Sequence, residues 1–248
     1  MMLRRPTASR LDRRLFCAGA AAAVIYPSVA GAYLLPERFI LKKMATHLKR
    51  RPVLQVTLTG RAVVGKQVMS VGERWMFDQR QKTCQVDVNG TGGAKVSWRW
   101  QKGQPLSGIT EGEAGLLPTE VERLTLGHLV AFADPVGLLD ALQVDRSTVR
   151  LGLLKDRAMY VIGAGPREPG LPQVWIDQDR FTVAQVRYQD GAGRLVQLSC
   201  EGWWGPPRPG VFPGRLRVQV GRTLMRQVEV SQIKSPIQEA RERRRSGG

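Results

Sequence analysis

The residues of this chain suited to chemistry are few and scattered. Gly163-Ala164-Gly165 follows the apolar run Tyr160-Val161-Ile162, which is how a dinucleotide-binding turn begins. That turn requires a third glycine three residues after the second, and a helix whose free N–H groups hold the pyrophosphate. Position 168 is Glu, and Pro169 and Pro172 stand where the helix would start. Proline removes donors and disfavours helical geometry in the residue before it. Residues 173 to 178 then alternate Val174 and Ile176 against Gln173, Trp175 and Asp177, as a strand does. The stretch reads as a hairpin loop, not as a dinucleotide site.

His47 and His128 are too few and too far apart for a zinc site with the available cysteines, so no metal and no other cofactor is expected. No Gly-x-Ser-x-Gly elbow occurs, and no Cys-His pair sits in a motif context. Asp177 and Asp179 flank a turn, where Asp is favoured for bonding its own backbone. These absences point to a protein that is not an enzyme.

The aromatic residues carry more information. Trp75 and Phe77, and likewise Trp98 and Trp100, are spaced i, i+2 on strand-like segments, so each pair faces one side of a sheet. Apolar helices carrying Phe132, Leu138, Leu139 and Leu142 suit that face. The eight residues would then line either a ligand cavity or a solid core. Trp203-Trp204 lies in a proline-rich stretch with Arg208 and Arg215 nearby. It suits a membrane interface or partner contact, or packing under the loop. Cys84 and Cys200 form either a disulfide or two separate buried thiols.

The elements that position these residues follow from periodicity. Residues 37 to 51 read as an amphipathic helix after Pro36, with Phe39, Ile40, Met44 and Leu48 among basic neighbours. From Val53 the pattern switches to period two, with Leu54, Val56 and Leu58 on one face of a half-buried strand. A meander follows to residue 101, then a glycine-rich loop over 102 to 117. Residues 118 to 142 read as two short helices, with Pro118 in the first turn of one and Asp134 capping the next. Strand patterns resume from Thr148, giving about ten or eleven strands in all. Helices in two places between antiparallel runs indicate an α+β fold with one large curved sheet.

The net charge of +17 raises nucleic acid as a partner, but residues 1–32 read as an export signal. An arginine-rich start precedes the apolar run after Phe16, and Ala30-Gly31-Ala32 fits the small-x-small cleavage rule. Arg13-Arg14-Leu15-Phe16 resembles the twin-arginine pattern, with the general secretory route also open. The uncharged stretch from Leu15 to Pro36 would alternatively serve as an uncleaved inner-membrane anchor. Cleavage removes five Arg and one Asp and leaves +13, so anionic membrane surfaces or an envelope protein replace DNA as expected partners. The domain then runs over 33–235, with a basic, disordered tail over 236–248.

The arrangement resembles the LolA/LolB lipoprotein-carrier family. "LPERFILKKMA" is similar to its N-terminal helix, "YVIGAGPREPGLPQVWIDQDRFTVAQVRY" to its W-I-D hairpin, and "VFPGRLRVQVGRTLMRQVEVSQIK" to its final hairpin. The resemblance implies an incomplete β-barrel whose concave face is covered by the mid-chain helices. It also implies a monomeric periplasmic protein that holds lipid or an acylated lipoprotein in an apolar hollow. A sensory or regulatory interaction domain of the same fold, with a filled core, is the alternative. The family's Arg-Pro step in an early strand has no counterpart here: Arg74 and Arg80 are the nearest arginines and neither precedes proline.

Overall fold

The computed structural model describes residues 34–48, 53–168, 170–204 and 212–235. Helix α1 (Glu37–Leu48) buries Ile40, Leu41, Met44 and Leu48, a stripe at helical spacing, and leaves Phe39 exposed under the Lys43 ammonium. Strands β1 (Val53–Val64), β2 (Gln67–Asp78), β3 (Thr83–Gly90), β4 (Lys95–Gln101) and β5 (Ile109–Gly112) form the first meander. Helices α2 (Glu120–Leu126) and α3 (Pro135–Ala141) follow, joined by a π-helical turn over Gly127–Ala131. The second run comprises β6 (Val149–Leu154), β7 (Arg157–Gly163), β8 (Gln173–Asp177), β9 (Val183–Gln189), β10 (Leu195–Trp204), β11 (Phe212–Val220) and β12 (Thr223–Lys234).

Among the described residues, all 12 strands belong to one antiparallel sheet in the order β5-β4-β3-β2-β1-β12-β11-β10-β9-β8-β7-β6. The two meanders fuse where β1 pairs with β12, Gln55 opposite Lys234 and Ala62 opposite Arg226. The edge strands β5 and β6 do not pair with each other, so the sheet stays open. Alternation along each strand sends one set of side chains to an inner face: Leu54, Val56 and Leu58 from β1, and Val196, Leu198 and Cys200 from β10. The helices cover that face and complete the main core.

Three sequence expectations change. The strand count rises to 12 because β5 lies inside the glycine-rich stretch, paired along one edge only and too short to show alternation. Thr119 caps α2, with Glu122 returning to the Thr119 N–H, which places Pro118 outside the helix. Trp203 and Trp204 belong to β10, opposite Pro213 and Phe212, because pairing with β11 carries the strand through them. The Asp134 cap forms as expected, its carboxylate accepting from the Gly137 N–H at 2.9 Å. The Gly163 stretch is a hairpin turn: at φ 99° an added Cβ would lie 2.5 Å from the Pro172 carbonyl oxygen. The export segment and the basic tail lie outside the described residues.

Candidate ligand-binding site

The inner face holds two aromatic groups, separated by the inward aliphatic side chains of β3. Trp75 and Phe77 stack at 5.6 Å with an 11° interplanar angle, and Phe212 packs on Phe77 at 5.8 Å. Trp98 and Trp100 are 6.1 Å apart, and Phe132 and His128 meet the Trp100 ring edge-on at 4.7 and 5.4 Å. From α3, Leu138 and Leu139 lie beneath, each 1 % exposed, with Leu142 beside them. The structure thus brings together all eight residues singled out for this face, buried in one cluster. Cavities of about 590 Å³ and 370 Å³ occur elsewhere, and none of the eight lines either of them.

Three charged residues sit within this apolar interior. Arg226 of β12 pairs with Glu73 of β2, and its Nε lies 3.2 Å from a carboxylate oxygen of Glu122 of α2. Each side chain is at most 2 % exposed. Trp75 Nε1 donates to Glu73 at 2.8 Å, and Thr119 donates to Glu122 through both its N–H and its hydroxyl. Burial pushes the Glu73 carboxyl above its ordinary range, Arg226 opposes the rise and Glu122 adds to it. Burial disfavours charge on Arg226, yet the two carboxylates outweigh it and raise its pKa. The sheet seam and the covering helix are therefore joined by a buried ionic contact, costly to form and more costly to break.

Sequence reading missed this triad. Glu73 shares the inward parity of Val71, Trp75 and Phe77, and Arg226 that of Val228, so each is a charge written into an apolar row. The Thr119-x-x-Glu122 capping box was also legible. What no local pattern supplies is their meeting, 153 residues apart in the case of Glu73 and Arg226.

Further polar contacts tie the helical segments to the end of β2 and the turn that follows it. Gln79 Nε2 donates to the carbonyls of Leu48 and Val130, at 2.7 and 2.9 Å, and Lys82 Nζ donates to that of Phe132 at 3.1 Å. Ala133 and Gln143 hold positive φ angles of 49° and 54° on either side of α3, a conformation unfavourable for residues with a Cβ. Three buried side-chain atoms here have no partner: Arg123 Nε, Thr125 Oγ1 and His128 Nδ1. Burial lowers the His128 pKa, Asp134 and Asp140 pull it up and Lys102 pushes it down.

The other candidates disperse. Cys84 on β3 and Cys200 on β10 are free and buried, with four strands between theirs in the sheet order. The disulfide reading therefore gives way to two separate thiols, whose pKa values burial drives upward. Trp203 is half-buried and donates through Nε1 to the Val183 carbonyl at 2.9 Å. The Trp204 side chain and Arg208 lie outside the described residues. Among the described residues, no group of three or more His, Cys, Asp or Glu side chains is placed to hold a metal ion. Asp177 Oδ1 accepts from the Asp179 and Arg180 N–H groups, the turn role expected of it. No described helix is long and apolar enough to cross a membrane.

No family model and no curated protein matches the sequence. Among solved structures, the chain is similar to a LolA superfamily protein from Nitrosomonas europaea, at TM-score 0.49 and 14% identity, over 81% of this chain and 93% of that one. It is similar to a DUF1329 family protein from Desulfovibrio piger at TM-score 0.45 and 10% identity, over 82% and 94% of the two chains. A putative outer membrane lipoprotein-sorting protein domain from Vibrio parahaemolyticus gives TM-score 0.42 and 10% identity, over 80% and 91%. The architecture of this chain is itself an open antiparallel sheet with helices packed on one face.

Proposed function

We propose that the chain is an exported, non-enzymatic carrier that holds an acyl chain of a lipid or lipoprotein against the aromatic groups of its inner face. In the state described, its own segment from Thr119 to Leu142 occupies that place. The observation that carries this reading is the polar deficit of the covering segment. Arg123 Nε, Thr125 Oγ1 and His128 Nδ1, all on this segment, are buried without a hydrogen-bond partner among the described residues. A buried polar atom without a partner costs about 1–3 kcal/mol, which water returns when the segment lifts. Lifting would expose Trp100, Phe132 and their neighbours to an incoming chain. Each methylene buried there contributes about 0.8 kcal/mol, so a dozen carbons suffice to offset the opening. The basic surface favours anionic membranes.

The solid packing of the eight inner-face residues favours a second reading, a regulatory domain that binds another envelope protein through its surface. Native mass spectrometry of the chain from Tyr33 onward, purified from an envelope fraction and compared before and after organic extraction, separates the two. A co-purifying lipid-sized mass lost on extraction supports the carrier. A clean apoprotein that also fails to take up added acyl chains rejects it and directs the search to cross-linked protein partners.

A further inference from the structure

A second site lies on the opposite, outer face of the sheet. The register between β8 and β9 slips at Trp175/Ile176, so Ala184 is an extra residue on β9. This bulge turns Ala184 and Gln185 together toward the outer face, and bulges of this kind re-aim side chains beside functional sites. They join the floor of a cavity of about 370 Å³ that also includes Met159 and Trp203. Met159, Val161 and Trp175 form a small apolar cluster beneath it, apart from the main core.

The walls are unevenly charged. Four basic side chains face the cavity against the carboxylates of Asp177 and Glu201, leaving two cations in excess. Arg157 is taken by Asp177 and Lys155 by Glu201, each at 2.5 Å. The two unpaired cations are Arg180 and Arg187, which have no carboxylate partner among the described residues. Arg187 is partly buried, lies 5.6 Å over the Trp175 ring and donates through Nε to Gln197 at 3.0 Å, so its guanidinium is held in place. Gln185 is 1 % exposed and its Oε1 has no partner. The site thus combines two guanidiniums lacking a counter-ion, an unpartnered buried amide and an apolar floor.

We propose that this outer pocket binds a phosphate group, presented by a lipid head group or by a soluble phosphate ester. Guanidinium forks match phosphate oxygens two at a time; a phosphate monoester carries about −1.5 to −2 at pH 7 and a phosphodiester head group about −1, so the cationic excess accommodates either. The amide of Gln185 serves the ester's neighbouring hydroxyl or amine, and Met159 and Trp203 its carbon skeleton. The site is independent of whether the inner face carries acyl chains.

The test is calorimetric titration of the chain from Tyr33 onward with glycerol 3-phosphate, together with sedimentation on phosphatidylglycerol and phosphatidylcholine vesicles. Arg180→Gln, Arg187→Gln and, as a control away from the pocket, Arg99→Gln are compared at matched ionic strength. Either pocket substitution is expected to weaken binding at least tenfold, with the control within twofold. Arg180 is exposed, so its variant remains informative if Arg187→Gln impairs folding. Loss confined to the soluble ester identifies a free phosphate ester, and loss that includes phosphatidylglycerol vesicles identifies a head group. Absence of binding to both probes, or equal weakening by Arg99→Gln, overturns the proposal.

Discussion

Replacing Arg226 with methionine tests whether the buried triad ties the helices to the sheet. Arg226 is 2 % exposed, and the Glu73 and Glu122 side chains it touches are each 1 % exposed. Removing it leaves two carboxylates facing each other in an apolar interior with no cation between them. Breaking a buried ion pair by deleting one partner costs about 3–5 kcal/mol. For a domain of this size that lowers Tm by roughly 6–20 °C. The deficit carries a pH signature. Burial already raises the Glu73 carboxyl above its unfolded value of 4.5, and loss of the opposing guanidinium raises it further, so the stability tied to Glu73 is intact below that pH and is lost as pH rises through the folded value. Guanidinium chloride unfolding of both proteins at pH 4 and pH 7 measures this directly. The expected difference is several kcal/mol at pH 7 and much smaller at pH 4. Adding Glu73→Gln and Glu122→Gln to Arg226→Met should recover most of the loss, because the uncompensated charges are gone. A deficit below about 1 kcal/mol at pH 7, or one that does not change with pH, would refute the assignment.

Gly127→Ala should loosen the same seam from another side, since the new Cβ would stand 2.3 Å from the Trp100 ring. We expect a loss of about 1–3 kcal/mol in urea unfolding. His128 keeps a pKa below its ordinary 6.5 because burial disfavours the imidazolium, so its contribution to stability is present above that value and lost as pH falls through the folded one. Amide exchange over residues 119–141, corrected for intrinsic rates, should therefore be faster at pH 5.5 than at pH 7.5. His128→Asn should flatten that dependence, and an unchanged slope in the variant would assign it to other groups. Cys84 and Cys200 are buried and free, so in the chain from Tyr33 onward both thiols should resist Ellman's reagent when folded and both react in denaturant without reductant. Silence in denaturant until reductant is added would establish a disulfide instead.

Much of the sheet was legible because its inner face is one continuous apolar surface. The alternation of Leu54, Val56 and Leu58, or of Trp98 and Trp100, records directly which side chains point inward. The Asp134 cap and the proline-interrupted turn after Gly163 were legible for the same local reason, since caps and turns are specified within a few residues. β5 was not, because a four-residue edge strand with one partner needs no pattern. The triad and the outer pocket were not legible either. Glu73 and Arg226 meet only because β2 and β12 both flank β1, a fact of topology. Gln185 and Arg187 share a face by plain alternation, but the β9 bulge that adds Ala184 to that face, and the neighbouring strands that close the pocket, leave no local pattern. The eight inner-face residues lie in one buried cluster, yet whether such a layer is empty or filled depends on the helices, whose placement no strand pattern encodes.

A carrier of this design must let the segment from Thr119 to Leu142 yield its place to an acyl chain. Hydrogen exchange of the chain from Tyr33 onward, with and without a saturating single-chain phospholipid, tests it most directly. Exchange should rise across α2, the π-helical turn and α3 while β2 and β4 stay protected by the bound chain. Bound lipid with unchanged exchange in those helices, or no binding at all, would contradict it.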